Sequence, residues 1–255
     1  MGMIKLNDLT KFYRGFKAVD NLSLEVKKGI VFGFLGPNGA GKTTTLKMMA
    51  GVLKPSSGQI IINDRDIAKE PAAVKQGVSF IPDRPFIYEK LTGFEFLRFI
   101  AGLYNLNHSK SPDGKIEDLL QLFELSPWRD ELIESYSHGM KQRLVMCAAL
   151  LPKPKVIIVD EPMVGLDPKA ARLVKDIFMD QARKGTTVFM STHSLETAEE
   201  VCKEIAIIQK GKIIAIGTAA DLRKQAGVDG NMENIFFKLT EGRQAATHEK
   251  LLSPS

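Results

Sequence analysis

The run Gly36-Pro37-Asn38-Gly39-Ala40-Gly41-Lys42-Thr43 constrains this chain more than any other feature of its sequence. It fits the pattern GxxxxGK[ST], follows the apolar, β-rich run Ile30 to Leu35, and precedes the helix-like segment Thr44 to Gly51. Glycines let the backbone curl so that successive N–H groups point inward at phosphate oxygens, and the helix N-terminus adds partial positive charge. Lys42 can then bridge the β and γ phosphates, and the Thr43 hydroxyl can reach Mg²⁺. Such a strand, loop and helix belong to a chain that folds around a nucleoside triphosphate, with Gly36 through Thr44 as its contact positions.

A second run completes the chemistry. Val156-Ile157-Ile158-Val159 reads as a buried strand, and it ends in Asp160-Glu161. A strand that ends in acids delivers carboxylates to the sheet edge where ligands bind. Asp160 is placed to hold Mg²⁺ through water, and Glu161 to polarise the water that attacks the γ-phosphate as general base. Alone, an apolar strand capped by Asp-Glu is often only a strand end; beside the loop it gains a function.

The remaining pattern is α/β. Val78 to Ile81, Thr187 to Met190 and Ile205 to Ile208 are further β-rich runs separated by helical segments, as in a mainly parallel sheet covered by helices. Ile4 to Leu6, Leu22 to Val26 and Gln59 to Ile62 suggest a small antiparallel sheet beside it. From about residue 91 to 151 the strand signal vanishes, with breaks at Asn107 to Pro112 and Ser126-Pro127, so a helical subdomain is expected to be inserted there. The expected layout is one domain over residues 1–220, then an extension over 221–255 whose polar tail begins near Gly242. At 255 residues, two independent enzymes would be crowded. The formal charge of +5 suits an anionic ligand or a membrane face without singling out nucleic acid. Cys147 and Cys202 have no partner at metal spacing and read as reduced packing residues. The chain shows no apolar run long enough to span a bilayer, so it is expected in the cytosol.

In order and spacing these motifs resemble the nucleotide-binding subunits of ATP-binding cassette (ABC) transporters, over about Ile4 to Gly217. Tyr136-Ser137-His138-Gly139-Met140-Lys141-Gln142-Arg143 is similar to the family signature LSGGQxQR, and Gly165-Leu166-Asp167 to its D-loop. His193 in Ser-Thr-His resembles the switch histidine, and Tyr13 the aromatic residue that stacks on adenine. The resemblance implies a P-loop NTPase (RecA-like) core, with ATP as substrate and Mg²⁺ as cofactor. It further implies that Glu161, His193 and Lys42 carry catalysis, and that Thr43, Asp83 and Asp160 hold the metal. Ser137, His138, Gly139 and Met140 would face the ATP of an opposite subunit, and Asp167 would link the two sites. Two chains, as a homodimer or heterodimer, would then close head to tail on two ATP molecules and drive a separate transmembrane permease. That places the protein in the cytoplasm, peripheral on the inner face of the cell membrane.

Three features depart from the pattern or extend it. His138 and Met140 replace a Gly and a Gln of the signature, while Ser137 and Gly139 remain. Asp83 stands where the family carries the Gln of its Q-loop; a carboxylate is a good hard-oxygen ligand, so the metal role is expected to persist directly or through water. Arg84 to Tyr104 holds Phe86, Tyr88, Phe94, Phe96, Phe99 and Tyr104. In the family this region receives a short helix of the membrane subunit, and Phe86, Tyr88 and Phe94 are the docking candidates. The signature and the segment Asn234 to Leu239 lean towards the exporter-like group. The rival class is a soluble cassette ATPase acting on nucleic acid or ribosomes, but this chain has neither tandem cassettes nor a long coiled-coil insertion, and nucleic acid is not the expected partner. A cassette that binds ATP but hydrolyses it poorly stays open because of Asp83.

Overall fold

The strands that position the site are those whose every side chain is buried. The computed structural model describes residues 2–84, 86–106, 112–227 and 232–240. Strands β3 (Val31–Leu35), β7 (Val156–Asp160) and β8 (Thr187–Thr192) are buried throughout, as a sheet covered on both faces requires. With β6 (Val78–Ile81), β9 (Glu204–Gln209) and β10 (Lys212–Gly217) they form a six-stranded sheet in the order β10-β9-β3-β8-β7-β6. All pairs are parallel except β10 with β9, whose short turn allows only a hairpin.

Alternating side chains commit each strand to two cores. Val156 and Ile158 join Phe32, Phe34 and Phe189 under α1 (Lys42–Met49) and the smaller sheet. Ile157 and Val159 join Ile81, Val188 and Met190 against α3 (Gly93–Leu103), α4 (Pro112–Leu122), α5 (His138–Leu150) and α6 (Pro168–Arg183). Phe32 and Phe34 both touch the Phe189 ring, at 5.3 and 5.4 Å between centroids. Fully burying a ring of this kind stabilises by roughly 1.5–3 kcal/mol.

The smaller sheet is antiparallel, in the order β2-β1-β4-β5. Its β1 (Gly2–Tyr13) and β2 (Phe16–Lys27) extend far beyond the short runs expected at Ile4 to Leu6 and Leu22 to Val26. Register shifts between Leu6 and Leu9, and again beyond Leu9, break the alternation by which a strand is read, while Asp8 and Asn21 sit at φ 49° and 51°. Strands β4 (Ser57–Ile62) and β5 (Arg65–Asp66) complete this sheet, and α2 (Pro71–Gln76) leads into β6.

Between β6 and β7 the described residues carry three helices, α3 to α5, and no strand of either sheet. The break at Ser126-Pro127 is a single 3-10 turn, Ser126–Trp128. Helix α7 (Leu195–Val201) follows β8, and α8 (Ala219–Ala226) and a helix over 232–240 pack on the β9 side through Leu222, Met232 and Ile235. The polar tail from Gly242 lies outside the described residues, as does most of the break at Asn107 to Pro112.

Candidate active site

The phosphate loop is held in shape by two glycines. At Gly36 an added Cβ would lie 2.4 Å from the Ile208 carbonyl oxygen. At Gly41, φ is +107° and a Cβ would lie 2.5 Å from the Ala18 oxygen, so neither position admits a side chain. Helix α1 starts immediately afterwards, and Lys42 folds back over the loop. Its ammonium donates to the carbonyls of Gly36 (2.7 Å) and Pro37 (3.3 Å), and the residue is only 6% exposed.

The acids arrive from the end of β7, and their partners Ser191 and His193 from the end of β8. Ser191 on β8 donates its hydroxyl to Asp160 Oδ1, while the buried Oδ2 of Asp160 has no hydrogen-bond partner. Glu161 sits in the left-handed region at φ 49°, a conformation a non-glycine residue adopts at some cost. Its N–H donates to the Ser191 carbonyl (3.3 Å) and hydroxyl (3.2 Å), which fixes that backbone turn. The carboxylate is thereby placed between two partners. Oε1 lies 3.3 Å from Lys42 Nζ, and Oε2 lies 3.0 Å from His193 Nδ1 and accepts the His193 N–H at 3.3 Å.

These groups line a cleft of about 500 Å³. One end is the loop: Pro37, Asn38, Gly39, Gly41, Lys42, Thr43 and Thr44. Asp83, Glu161 and His193 line the same cleft, as does Tyr13. Gly36 and Ala40 lie buried behind the loop, and Asp160 is buried behind Glu161. Phe16, Ala18 and Val164 also line the cleft, and the sequence reading missed them. Phe16 is the cross-strand partner of Tyr13, a relation visible only once the hairpin register is known. Ser191, which orients Asp160, was legible in hindsight as the polar end of the β8 run.

The signature residues are elsewhere. Ser137 caps α5, its hydroxyl accepting the Met140 N–H at 3.3 Å, and His138 opens the helix; neither they nor Gly139 and Met140 line the cleft of their own chain. His138 lies against Gly165, where an added Cβ would approach its ring to 2.6 Å, so the signature turn and the D-loop touch within one chain. Asp167 is a helix cap here: its carboxylate accepts the Ala170 N–H at 2.9 Å.

The aromatic segment divides. Phe96 is core, and Phe94 is partly buried against the subdomain, with the Arg129 guanidinium 4.2 Å from its ring. Phe86, Tyr88 and Phe99 remain exposed, with Tyr88 and Phe99 edge to face at 5.4 Å. This segment is tied to the signature helix by the Glu89–Lys141 pair, and to the turn before it by the Lys90–Glu134 pair, both at 2.5 Å, and by the Ile133 N–H, which donates to the Leu91 carbonyl. Lys141 draws the Glu89 carboxyl below its ordinary value, and Glu134 raises Lys90. Burial pushes the Cys147 thiol up, and Cys202 up to about 12, so both cysteines are inert packing residues.

A glycine-bent loop on a parallel sheet, a buried lysine and a carboxylate wall define a P-loop nucleoside triphosphatase. The chain belongs to the ABC transporter family, which residues 19–164 match. It is 38% identical to the uncharacterized ABC transporter ATP-binding protein YhcH of Bacillus subtilis, over 96% of this chain and 78% of that protein. It is 36% identical to the daunorubicin/doxorubicin resistance ATP-binding protein DrrA of Streptomyces peucetius, over 98% of this chain and 74% of that protein. A solved ATP-binding subunit of an ABC transporter superposes with a TM-score of 0.88 at 33% identity, covering 93% of this chain and 99% of that one. The chain is thus an ATP-binding, ATP-hydrolysing transporter subunit, and the rival nucleic-acid class finds no support among these relatives. Among the described residues no helix is long and apolar enough to cross a membrane.

Proposed function

We propose that this chain hydrolyses ATP in a head-to-tail dimer and drives export through a separate transmembrane permease, with Glu161 as general base. The observation that carries the reading is the convergence of Lys42 and His193 on the two oxygens of one carboxylate, at 3.3 and 3.0 Å, beside the phosphate loop. Lys42 exchanges its loop and Glu161 contacts for β- and γ-phosphate oxygens when ATP enters. Glu161 is then free to take a proton from water, which His193 holds in line. Thr43, Asp160 and Asp83 fit a hard cation, since Asp160 keeps one buried oxygen unpaired and Asp83 opens onto the cleft. Mg²⁺ bound there would neutralise charge on the phosphates.

Ser137 and Gly139 complete the site of a second copy. One chain carries both halves, the loop and the α5 N-terminus, and two-fold pairing of identical chains joins each half to its complement. Asp167 and the Gly165 turn lie where the two sites meet. Phe86, Tyr88 and Phe99 receive a helix of the permease, holding the chain at the cytoplasmic face of the membrane. The relation to a drug-resistance ATP-binding protein supports export as the direction. Glu161→Gln tests the chemistry: ATP still binds, measured by equilibrium dialysis, and turnover falls about a thousandfold. Turnover at the wild-type rate would remove Glu161 from the role of base.

A further inference from the structure

We infer that Phe16 is a second base-contacting residue, and that with Tyr13 it forms a two-ring platform preferring a bicyclic purine to a pyrimidine. This rests on the reading of the cleft as an ATP site. Arg14 and Gly15, at φ 44° and 88°, make a two-residue turn of the type that closes a tight hairpin. Tyr13 and Phe16 are therefore directly opposite each other, with side chains on one face and Cβ atoms about 5 Å apart.

The neighbours confirm the facing. Phe12 belongs to the other face with its own partner Lys17, whose ammonium lies 5.3 Å from the Phe12 ring. Tyr13 shares its face with Lys11, at 5.4 Å. Both cleft rings are open to solvent, Tyr13 at 45% and Phe16 at 66%. Ala18, two residues along β2 on the same face, also lines the cleft, and its backbone abuts Gly41 of the phosphate loop. One strand thus runs from the loop to the rings over roughly 7 Å between Ala18 and Phe16. A triphosphate held at Gly41 and Lys42 directs its base along that strand. A purine is wide enough to touch both rings, whereas a pyrimidine covers one.

The test measures binding of ATP, CTP and inorganic triphosphate to the full chain and to Phe16→Ala and Phe16→Trp. Phe16→Ala should lose about tenfold in ATP affinity, within the range for one stacking contact. Triphosphate affinity should be unchanged, the preference for ATP over CTP should narrow, and Phe16→Trp should keep both. Wild-type ATP affinity in Phe16→Ala, parallel losses for ATP and triphosphate, or an unchanged ATP to CTP ratio would each overturn the inference. If the unaltered chain bound neither ATP nor triphosphate, the reading of the cleft itself would fail, a result distinct from all of these.

Discussion

The phosphate loop and the start of α5 are both helix N-termini that present backbone N–H groups, yet they are built in opposite ways. At the loop, Gly36 and Gly41 press against the Ile208 and Ala18 carbonyls, Lys42 is buried, and Glu161 and His193, which follow β7 and β8, line the same cleft. At α5, Ser137 and His138 stand exposed, and His138 lies against the D-loop turn of the same chain. The first lines a cleft of its own chain, and the second lines none of that cleft. If hydrolysis needs both, as we propose, a single chain binds ATP without turning it over well.

Substitutions at the two ends should therefore fail differently. Gly139→Asp puts a carboxylate where a γ-phosphate would face α5; turnover should fall about a hundredfold, comparable to losing a preorganised anion donor. ATP affinity of the isolated chain should stay at the wild-type value, as titration calorimetry would show. A matching loss of affinity would mean that α5 belongs to the chain's own site. Tyr88→Glu should lower transport by the complex at least tenfold, as expected for a central interface residue. ATPase activity of the isolated chain should not change; transport at the wild-type rate would remove the segment from docking.

Within the cleft, Asp83→Ala should lower turnover about tenfold and raise the Mg²⁺ concentration needed for half-maximal rate, with partial rescue by Asp83→Gln. An unchanged Mg²⁺ titration would take Asp83 off the metal. The smallest effect belongs to the strap between the aromatic segment and α5. Lys141 holds the Glu89 carboxyl below its ordinary value, so its contribution to stability is present at neutral pH and is lost as pH falls through the lowered folded value. The melting temperature of Glu89→Gln should lie slightly below that of the unaltered chain at pH 7 and converge with it in acid. A gap that persists in acid where the carboxylate is protonated in the folded chain would deny the ion pair that role.

Legibility in the sequence followed the same divide. The loop, β3 and β7 were readable because glycine positions, a lysine and continuous apolar runs are local requirements of the site. Asp160 and Glu161 came with them, as the end of a strand that must be buried. Phe16 was hidden because its place depends on the register of β1 and β2, where bulges interrupt the alternation. The Arg129 guanidinium over Phe94 was hidden because it comes from a turn far along the chain. The halves of the site could be named from local pattern, but the sides they occupy are set by tertiary packing.

The central claim is that Gly36 to Thr43 is half of a site completed by α5 of a second copy. Sedimentation of Glu161→Gln with Mg-ATP tests it directly. The account predicts a dimer holding two ATP molecules, which adding Gly139→Asp converts to monomers that still hold one each. A chain that stays monomeric with ATP bound, or a dimer that Gly139→Asp leaves intact, would contradict it.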